Sequence, residues 1–211
     1  NSIEYICNSI GYTEIRLNEP VDTFTVEIYR NHIDPSSFEL YGIEILSDDP
    51  GVVYHSVGVN GASIPSFLRC NLLQEQVKII RPDLVILSLG TNDAYSTSFD
   101  PDVYKRNYQQ LIEVIKSASP LADILLTVPN DVYYKRRRAN INTTLQEDVI
   151  YQLAVENGYG VWNFFQVMGG LNSVPQWYSN GMMKKDRIHF TPKGYFLKGD
   201  LFFSALMKSY G

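Results

Sequence analysis

The sequence predicts an α/β protein in which a parallel sheet is covered by helices, with a small all-β segment before it. From residue 52 onward, apolar runs of strand length alternate with longer segments whose apolar residues recur at helical spacing. Before residue 50, only short strand-like runs separated by turn residues occur. Helices that alternate with strands cover both faces of a parallel sheet. Residues 1–50 are therefore predicted to form the all-β segment and residues 51–211 the α/β domain.

The all-β segment is predicted to contain short strands at residues 4–7, 13–17, 23–29 and 38–46. The third run alternates apolar and polar residues with a period of two, which is typical of a strand buried on one face. Turn residues such as Asn18-Glu-Pro20 separate these runs.

The α/β domain is predicted to contain four strands and four helices. The strands are expected at residues 52–58, 84–89, 124–129 and 161–165, and the helices at about 64–80, 101–117, 140–157 and from 192 onward. In the first helix, apolar residues such as Leu68, Leu73, Val77 and Ile80 lie three to five positions apart. Thr191 is a good cap for the last helix, because Pro192 after it has a preset φ.

Composition limits the classes of function. Of the 211 residues, 45% are hydrophobic and 19% are charged, which indicates a folded core. The net charge of −5 gives no electrostatic case for binding nucleic acid or an anionic membrane. No apolar run reaches the ~18 residues that a membrane span needs. The one basic cluster, Lys135-Arg136-Arg137-Arg138, favours an exposed solvated turn over a phosphate-binding patch.

Asp186 and His189 form the first candidate pair for chemistry. They lie three residues apart just before the last predicted helix, so the carboxylate can reach one imidazole nitrogen while the other faces outward. Such a carboxylate fixes the tautomer of the imidazole and stabilises the imidazolium that forms on proton transfer. The alternative is a purely structural pair, which this spacing by itself favours.

Gly61 and Asn92 form the second candidate pair. Gly61 follows the predicted strand 52–58, and Asn92 belongs to the run Gly90-Thr91-Asn92-Asp93 after the strand 84–89. The carboxyl ends of parallel strands lie on one edge of a sheet, where ligands bind. The backbone N–H of Gly61 and the amide of Asn92 can therefore both donate to a developing oxyanion there. The alternative for each is a turn residue chosen for its backbone angles.

Three segments together resemble sequence blocks of the SGNH (GDSL-type) family of serine esterases and acylhydrolases. Ser56-Val-Gly-Val-Asn-Gly-Ala62 is similar to the second block, Gly90-Thr-Asn-Asp93 to the third and Asp186-Arg-Ile-His189 to the last. Their order and separations match the family, and the resemblance covers Val52–Tyr210. It implies a flavodoxin-like three-layer α/β/α sandwich of the SGNH hydrolase type.

The resemblance also implies roles for the two candidate pairs. His189 is the general base, Asp186 orients it, and Gly61 and Asn92 are the oxyanion donors. Asp93 is expected to shape the Asn92 loop without touching the substrate. The implied reaction is a two-step acyl transfer through a serine ester, with neither a metal nor an organic cofactor. The aromatic residues 177 and 178 are either a wall for the substrate or packed rings.

The family's first block, a Gly-Asp-Ser motif, does not occur in this sequence. Some extracytoplasmic members, including peptidoglycan and polysaccharide O-acetylesterases, carry a β domain inserted between the first and second blocks. Residues 38–45 resemble the end of such an insert. We therefore expect a C-terminal part of a longer extracytoplasmic esterase, with residues 1–50 belonging to the inserted domain and the serine upstream of Asn1. The chain by itself is then expected to be inactive.

The family's first strand is central in the sheet, so its absence would leave unpaired backbone. An N-terminal strand of this chain, a second copy in a homo-oligomer or the missing segment would have to fill the gap.

Three interpretations of function follow. The first is an esterase that removes a small acyl group, in particular acetyl, from a carbohydrate or cell-wall polymer. The second is a carbohydrate-binding or scaffolding module that keeps the fold without the chemistry. The third is a flavodoxin-like ligand binder, against which the lack of a Gly-rich phosphate loop weighs. The expected partner of the esterase is a small acyl ester or an acetylated glycan, with no nucleic acid and no membrane span.

Overall fold

The computed structural model describes residues 3–7, 12–29 and 39–210. The chain forms two compact units, residues 1–57 and 58–211. The domain boundary proposed from the sequence near residue 50 stays a prediction. No helix in the described part of the chain is long and apolar enough to cross a bilayer.

The first unit contains an antiparallel strand pair. Strands β1 (Ile3–Cys7) and β2 (Thr13–Leu17) pair with Ile3 opposite Leu17, which confirms the first two predicted strands. The other two predictions for this unit are wrong over the described residues, because 23–29 and 39–46 contain no strand; residue 38 lies outside the described ranges. An alternating pattern provides one apolar face, but a strand also needs a neighbour that supplies hydrogen bonds. No described residue supplies them here.

The second unit alternates strands and helices. Its helices are α1 (Ile64–Leu68), α2 (Leu73–Ile80), α3 (Thr91–Ala94), α4 (Pro101–Ala118), α5 (Asn142–Asn157), α6 (Phe164–Met168), α7 (Val174–Ser179) and α8 (Pro192–Tyr210). Its strands are β3 (Leu84–Leu87), β4 (Asp123–Val128), β5 (Tyr133–Tyr134), β6 (Arg138–Ala139) and β7 (Gly160–Asn163). Strands β3, β4 and β7 form a parallel sheet in that order. The predicted parallel sheet is therefore confirmed.

Helices pack on both faces of this sheet. In β7, Val161 packs against the core that α4 and α5 share with the sheet, whereas Trp162 packs in a second cluster. The Trp162 ring lies 4.8 Å from that of Phe202 on α8. Because successive side chains of a strand point to opposite faces, α8 covers the face opposite α4 and α5. The predicted three-layer α/β/α arrangement is confirmed by this layering.

The predicted strand at 52–58 does not form, and Val52 is 95% exposed. In a flavodoxin-like sheet the strand order is 2-1-3-4-5, so the second strand pairs with the first and not with the third. Segment 52–58 has the second position in chain order, and β3 has the third. No described residue forms the strand that would separate them. The edge of β3 that faces away from β4 is therefore unpaired within the described chain; it is called the open edge below.

Several element boundaries also differ from the prediction, such as the strand expected over 84–89, which ends at Leu87. The helix expected over 64–80 is divided into α1 and α2, because the amides of Cys70 and Leu73 bond carbonyls three residues back, as in a turn. The strand expected over 161–165 ends at Asn163, whose side-chain oxygen accepts a hydrogen bond from the Gln166 amide and caps α6.

Candidate active site

Gly90 directly precedes α3, three residues after β3 ends at Leu87, and only glycine fits this position. Its φ is +127°, a conformation that side chains strongly disfavour. A Cβ at this position would lie 2.6 Å from Tyr104 Oη and 2.7 Å from Pro129 Cγ. The Gln146 side chain donates a 2.8 Å hydrogen bond to the Gly90 carbonyl. The start of α3 is thereby fixed against the core.

The Asn92 loop and the Gly61 loop are joined by two hydrogen bonds. The Asn92 amide donates to the Ala62 carbonyl at 2.8 Å, and the Asp93 carboxylate accepts from the Ile64 backbone N–H at 3.1 Å. The structure therefore brings the first predicted oxyanion donor beside the second. An amide carries two hydrogens, so the exposed Asn92 side chain keeps one to donate to a ligand. Gly61 has a φ of +76°, which favours glycine.

Asp93 faces the protein, as expected of a residue that shapes the Asn92 loop. Burial raises the pKa of this carboxyl, while the hydrogen bond from the Ile64 backbone amide acts in the opposite direction. Its role in the structure is the contact with Ile64, at the beginning of α1.

Asp186 and His189 are also in contact. His189 Nδ1 lies 3.0 Å from Asp186 Oδ2, and Asp186 Oδ1 accepts hydrogen bonds from the backbone amides of Ile188 and His189, both at 2.9 Å. Partial burial acts to raise the pKa of Asp186, but these hydrogen bonds outweigh it and hold the pKa below the usual value. The carboxylate is therefore ionised at neutral pH and positioned to hold the imidazole.

The imidazole of His189 is open to solvent on its other side, and its side chain is 60% exposed. Within residues 3–7, 12–29 and 39–210, Nε2 has no hydrogen-bond partner, so it is available to accept a proton. No described serine hydroxyl reaches it. Ser63, which lies near Gly61 in sequence, forms a reciprocal capping pair with Ser66 at the start of α1.

A hairpin of β5 and β6 contacts both halves of the candidate site. Tyr95, which directly follows α3, accepts a 2.8 Å hydrogen bond from the backbone amide of Lys135. On the other side, the Tyr133 amide donates to the carbonyl of Arg187 at 3.0 Å. The exposed turn or loop at 135–138 was predicted from the sequence, but the hairpin was not. The pair of tyrosines directly before the basic cluster was the signal that could have indicated a strand.

The two aromatic residues of α7 have different environments. Trp177 packs against the rings of Phe164 and Phe190, and its indole N–H donates to the Met168 carbonyl at 2.8 Å. It is therefore a packed ring of the second core cluster. The Tyr178 ring instead lies 4.7 Å from the guanidinium of Arg187, in the loop that carries His189. Among the described residues, no group of three or more His, Cys, Asp or Glu side chains is placed to hold a metal ion.

Comparison with known proteins gives a family match. The sequence pattern of the GDSL-like Lipase/Acylhydrolase family matches residues 41–197, which is most of the chain. None of the curated protein sequences matches this chain significantly.

Solved structures of similar fold include a peptidoglycan O-acetylesterase, with a TM-score of 0.65 and 24% identity. The match covers 71% of this chain and 44% of the esterase, so the chain spans less than half of that protein. A lipase/acylhydrolase from Enterococcus faecalis matches with a TM-score of 0.55 and 23% identity, covering 69% of this chain and 71% of that one. A GDSL-like lipase from Bacteroides thetaiotaomicron matches with a TM-score of 0.53 and 22% identity, covering 71% and 73%.

Proposed function

The chain belongs to the GDSL-like lipase/acylhydrolase family, and from this membership we propose that it supplies the base and the oxyanion donors of a serine esterase. The observation that carries the proposal is the contact between Asp186 and His189, with the second imidazole nitrogen open to solvent. The pair formed by Asn92 and the Gly61 loop supports it independently, because it provides donors for an oxyanion.

The proposed reaction begins when His189 Nε2 accepts the proton of a serine hydroxyl as the serine oxygen attacks the ester carbonyl. The Asn92 amide and the Gly61 N–H stabilise the resulting oxyanion. The tetrahedral intermediate then expels the alcohol, which receives its proton from His189. In the second step water, deprotonated by the same base, attacks the serine ester. The serine oxygen leaves and takes the proton from His189 as the acid is released, while Asp186 stabilises the imidazolium in both steps.

The nucleophile in this proposal enters on a strand that pairs with the open edge of β3. Two observations support it: the edge is unpaired within the described chain, and segment 52–58 forms no strand, as expected if its neighbour in the flavodoxin-like order, the first strand, lies outside the described residues. We therefore place the serine at the carboxyl end of that added strand, on the same edge of the sheet as Asn92.

We expect the 211-residue chain expressed alone to resist a serine-directed fluorophosphonate and to hydrolyse an aryl acetate at the background rate. The gene product, with any residues encoded before Asn1, is expected to be labelled and to turn the ester over. Stoichiometric labelling of the 211 residues would contradict the proposed origin of the nucleophile. Lack of turnover by the whole gene product would contradict the esterase.

The proposed substrate is an acetylated carbohydrate or cell-wall polymer, acted on outside the cytoplasm. His189 is 60% exposed and Asn92 is also exposed, so a polymer could reach the site without entering a deep pocket. The similarity of fold to a peptidoglycan O-acetylesterase supports this choice of substrate class. Release of acetate from an acetylated glycan by the gene product is the direct measurement.

A carbohydrate-binding module on the same fold is the second candidate. It is favoured by one observation, the lack of a described serine hydroxyl in contact with His189. Binding of an acetylated glycan by the whole gene product without release of acetate would identify the module.

In the whole gene product, Asp186→Asn is expected to lower kcat for an aryl acetate by about 10²-fold or more, because the amide cannot stabilise the imidazolium and can hold the wrong tautomer. KM should change little. Asp83→Asn is the matched control, since this carboxylate is exposed and lies outside the site. Equal activity of the two variants would contradict the role of Asp186.

The same substitution is expected to change the pH dependence of stability. The folded pKa of Asp186 is lowered, so its ionised form adds stability above the unfolded pKa of about 4. That contribution is lost as the pH falls through the lower folded value. The stability difference between wild type and Asp186→Asn should therefore be present at neutral pH and vanish in acid.

A further inference from the structure

The β5–β6 hairpin, residues 133–139, concentrates positive charge beside the candidate site. The side chains of Lys135, Arg136, Arg137 and Arg138 are exposed. Within the described ranges, none of them forms an ion pair, and Arg187 of the neighbouring loop forms none either. The protein as a whole has a net charge of −5. Five unpaired cations next to one another are therefore a local departure from its general charge.

The backbone of this hairpin makes the choice of residues unusual. Lys135 has a φ of +50° and Arg136 a φ of +62°, and the Arg137 amide bonds the Tyr134 carbonyl at 3.1 Å to close the turn. A turn with two left-handed central residues normally takes Asn-Gly or a similar pair. Arg187 also has a positive φ, of +61°. A positive φ favours glycine or asparagine at all three positions. The presence of lysine and arginine there therefore points to a role for their charged side chains.

Tyrosine rings hold several of these cations in place. Lys135 Nζ and Arg138 Cζ lie 5.3 and 5.7 Å from the centre of the Tyr134 ring. Arg187 Cζ lies 5.5 Å from the Tyr133 ring and 4.7 Å from the Tyr178 ring. Contacts of this kind are attractive when the cation is within about 6 Å of the ring centre. They limit the motion of the cations without neutralising them.

The hairpin is also held at the site from two sides. The Lys135 amide bonds Tyr95, which follows the Asn92 loop, and the Tyr133 amide bonds Arg187, two residues before His189. A chain lying across the hairpin would therefore be adjacent to both the oxyanion donors and the base.

We propose that the cationic hairpin and Arg187 bind the carboxylates of an acidic polysaccharide whose acyl ester reaches His189. This inference rests on the proposed esterase function and narrows its substrate to a glycan that carries acid groups. The planar guanidinium matches a carboxylate in two-point hydrogen bonding. An acidic glycan is preferred to nucleic acid here because the hairpin adjoins the residues that are proposed to act on a glycan ester.

The test measures binding, so it does not depend on turnover. Calorimetric titration with an oligogalacturonate should show binding that weakens as salt rises from about 50 to about 300 mM, whereas neutral dextran should not bind. Lys135→Gln with Arg136→Gln is expected to weaken the binding about three- to tenfold. The matched control, Lys78→Gln with Arg106→Gln, removes two exposed cations elsewhere and should stay within about twofold of wild type.

A second variant separates charge from structure. Lys135→Asn with Arg136→Gly supplies the residues that the turn geometry prefers, and should raise the melting temperature by about 2–6 °C while weakening binding as the glutamine variant does. Stabilisation together with lost affinity would support the proposal. Unchanged affinity in either hairpin variant, a fall in melting temperature or tighter binding of single-stranded DNA than of the oligogalacturonate would overturn it. Loss of esterase activity alone would concern only the proposed reaction.

Discussion

Replacing His189 by alanine in the whole gene product is expected to lower kcat/KM for an aryl acetate by at least about 10³-fold. The imidazole is the only group of the proposed site that both accepts the proton of the nucleophile and returns it to the leaving alcohol. Alanine leaves the oxyanion donors in place, so a small rate above the uncatalysed reaction should remain. Steady-state hydrolysis of 4-nitrophenyl acetate measures the loss.

His55→Ala is the matched control for this loss. His55 has no role in the proposed reaction, and its Nε2 lies 3.2 Å from Glu44 Oε1 within the first unit. The activity of this variant should therefore stay within about twofold of wild type. Equal turnover by wild type and His189→Ala would remove His189 from the mechanism. If His189→Ala is no longer labelled by the fluorophosphonate, His189 also activates the nucleophile.

Gly90→Ala is expected to destabilise the fold by about 2–5 kcal/mol. The added Cβ would lie 2.6 Å from the buried Tyr104 Oη and 2.7 Å from Pro129 Cγ, and the φ of +127° would be strained with any side chain. Neither neighbour is the free end of a flexible exposed side chain, so the backbone before α3 would have to move. The midpoint of urea denaturation measures the effect.

Gly158→Ala separates the two causes of that effect. Gly158 has a φ of +72° at the end of α5, but a Cβ there would meet open space. Only the backbone term applies, so a loss of about 1 kcal/mol is expected. Equal destabilisation by both substitutions would show that packing around Gly90 contributes nothing.

Sequence patterns correctly predicted those helices and contacts that are determined by residues close together in the sequence. Helix α4 was expected over 101–117 and is observed at Pro101–Ala118, where the side chain of Asp100 caps the first turn. The Asp186–His189 contact was similarly local, since a three-residue spacing in a turn largely determines it. The approach of Asn92 to the Gly61 loop is not local. The rule that parallel strands end at one edge predicted it, but the strand 52–58 on which that prediction relied does not form, and the observed contact is made by the hydrogen bond from the Asn92 amide to the Ala62 carbonyl.

Pairing between segments that are distant in the sequence could not be predicted from local patterns. Segment 52–58 has the composition of a strand, yet a strand also requires a neighbour, and that requirement is absent from its own residues. The β5–β6 hairpin was missed for the opposite reason. Its turn contains Lys135 and Arg136 at positions where glycine or asparagine would have predicted a hairpin. The usual turn residues are therefore replaced by cations, whose side chains we propose to bind a ligand.

We expect the open edge of β3, unpaired among the described residues, to influence how the protein behaves in solution. Residues 84–87 present an apolar strand without a lysine, a proline or a bulge, the devices that normally discourage unwanted strand pairing. Such an edge can accept strands from other molecules, and the resulting aggregates grow with protein concentration. The soluble yield should therefore depend on whether a strand pairs with this edge. Protein in which the edge is paired should stay in solution, and protein in which it is unpaired should aggregate through intermolecular sheets.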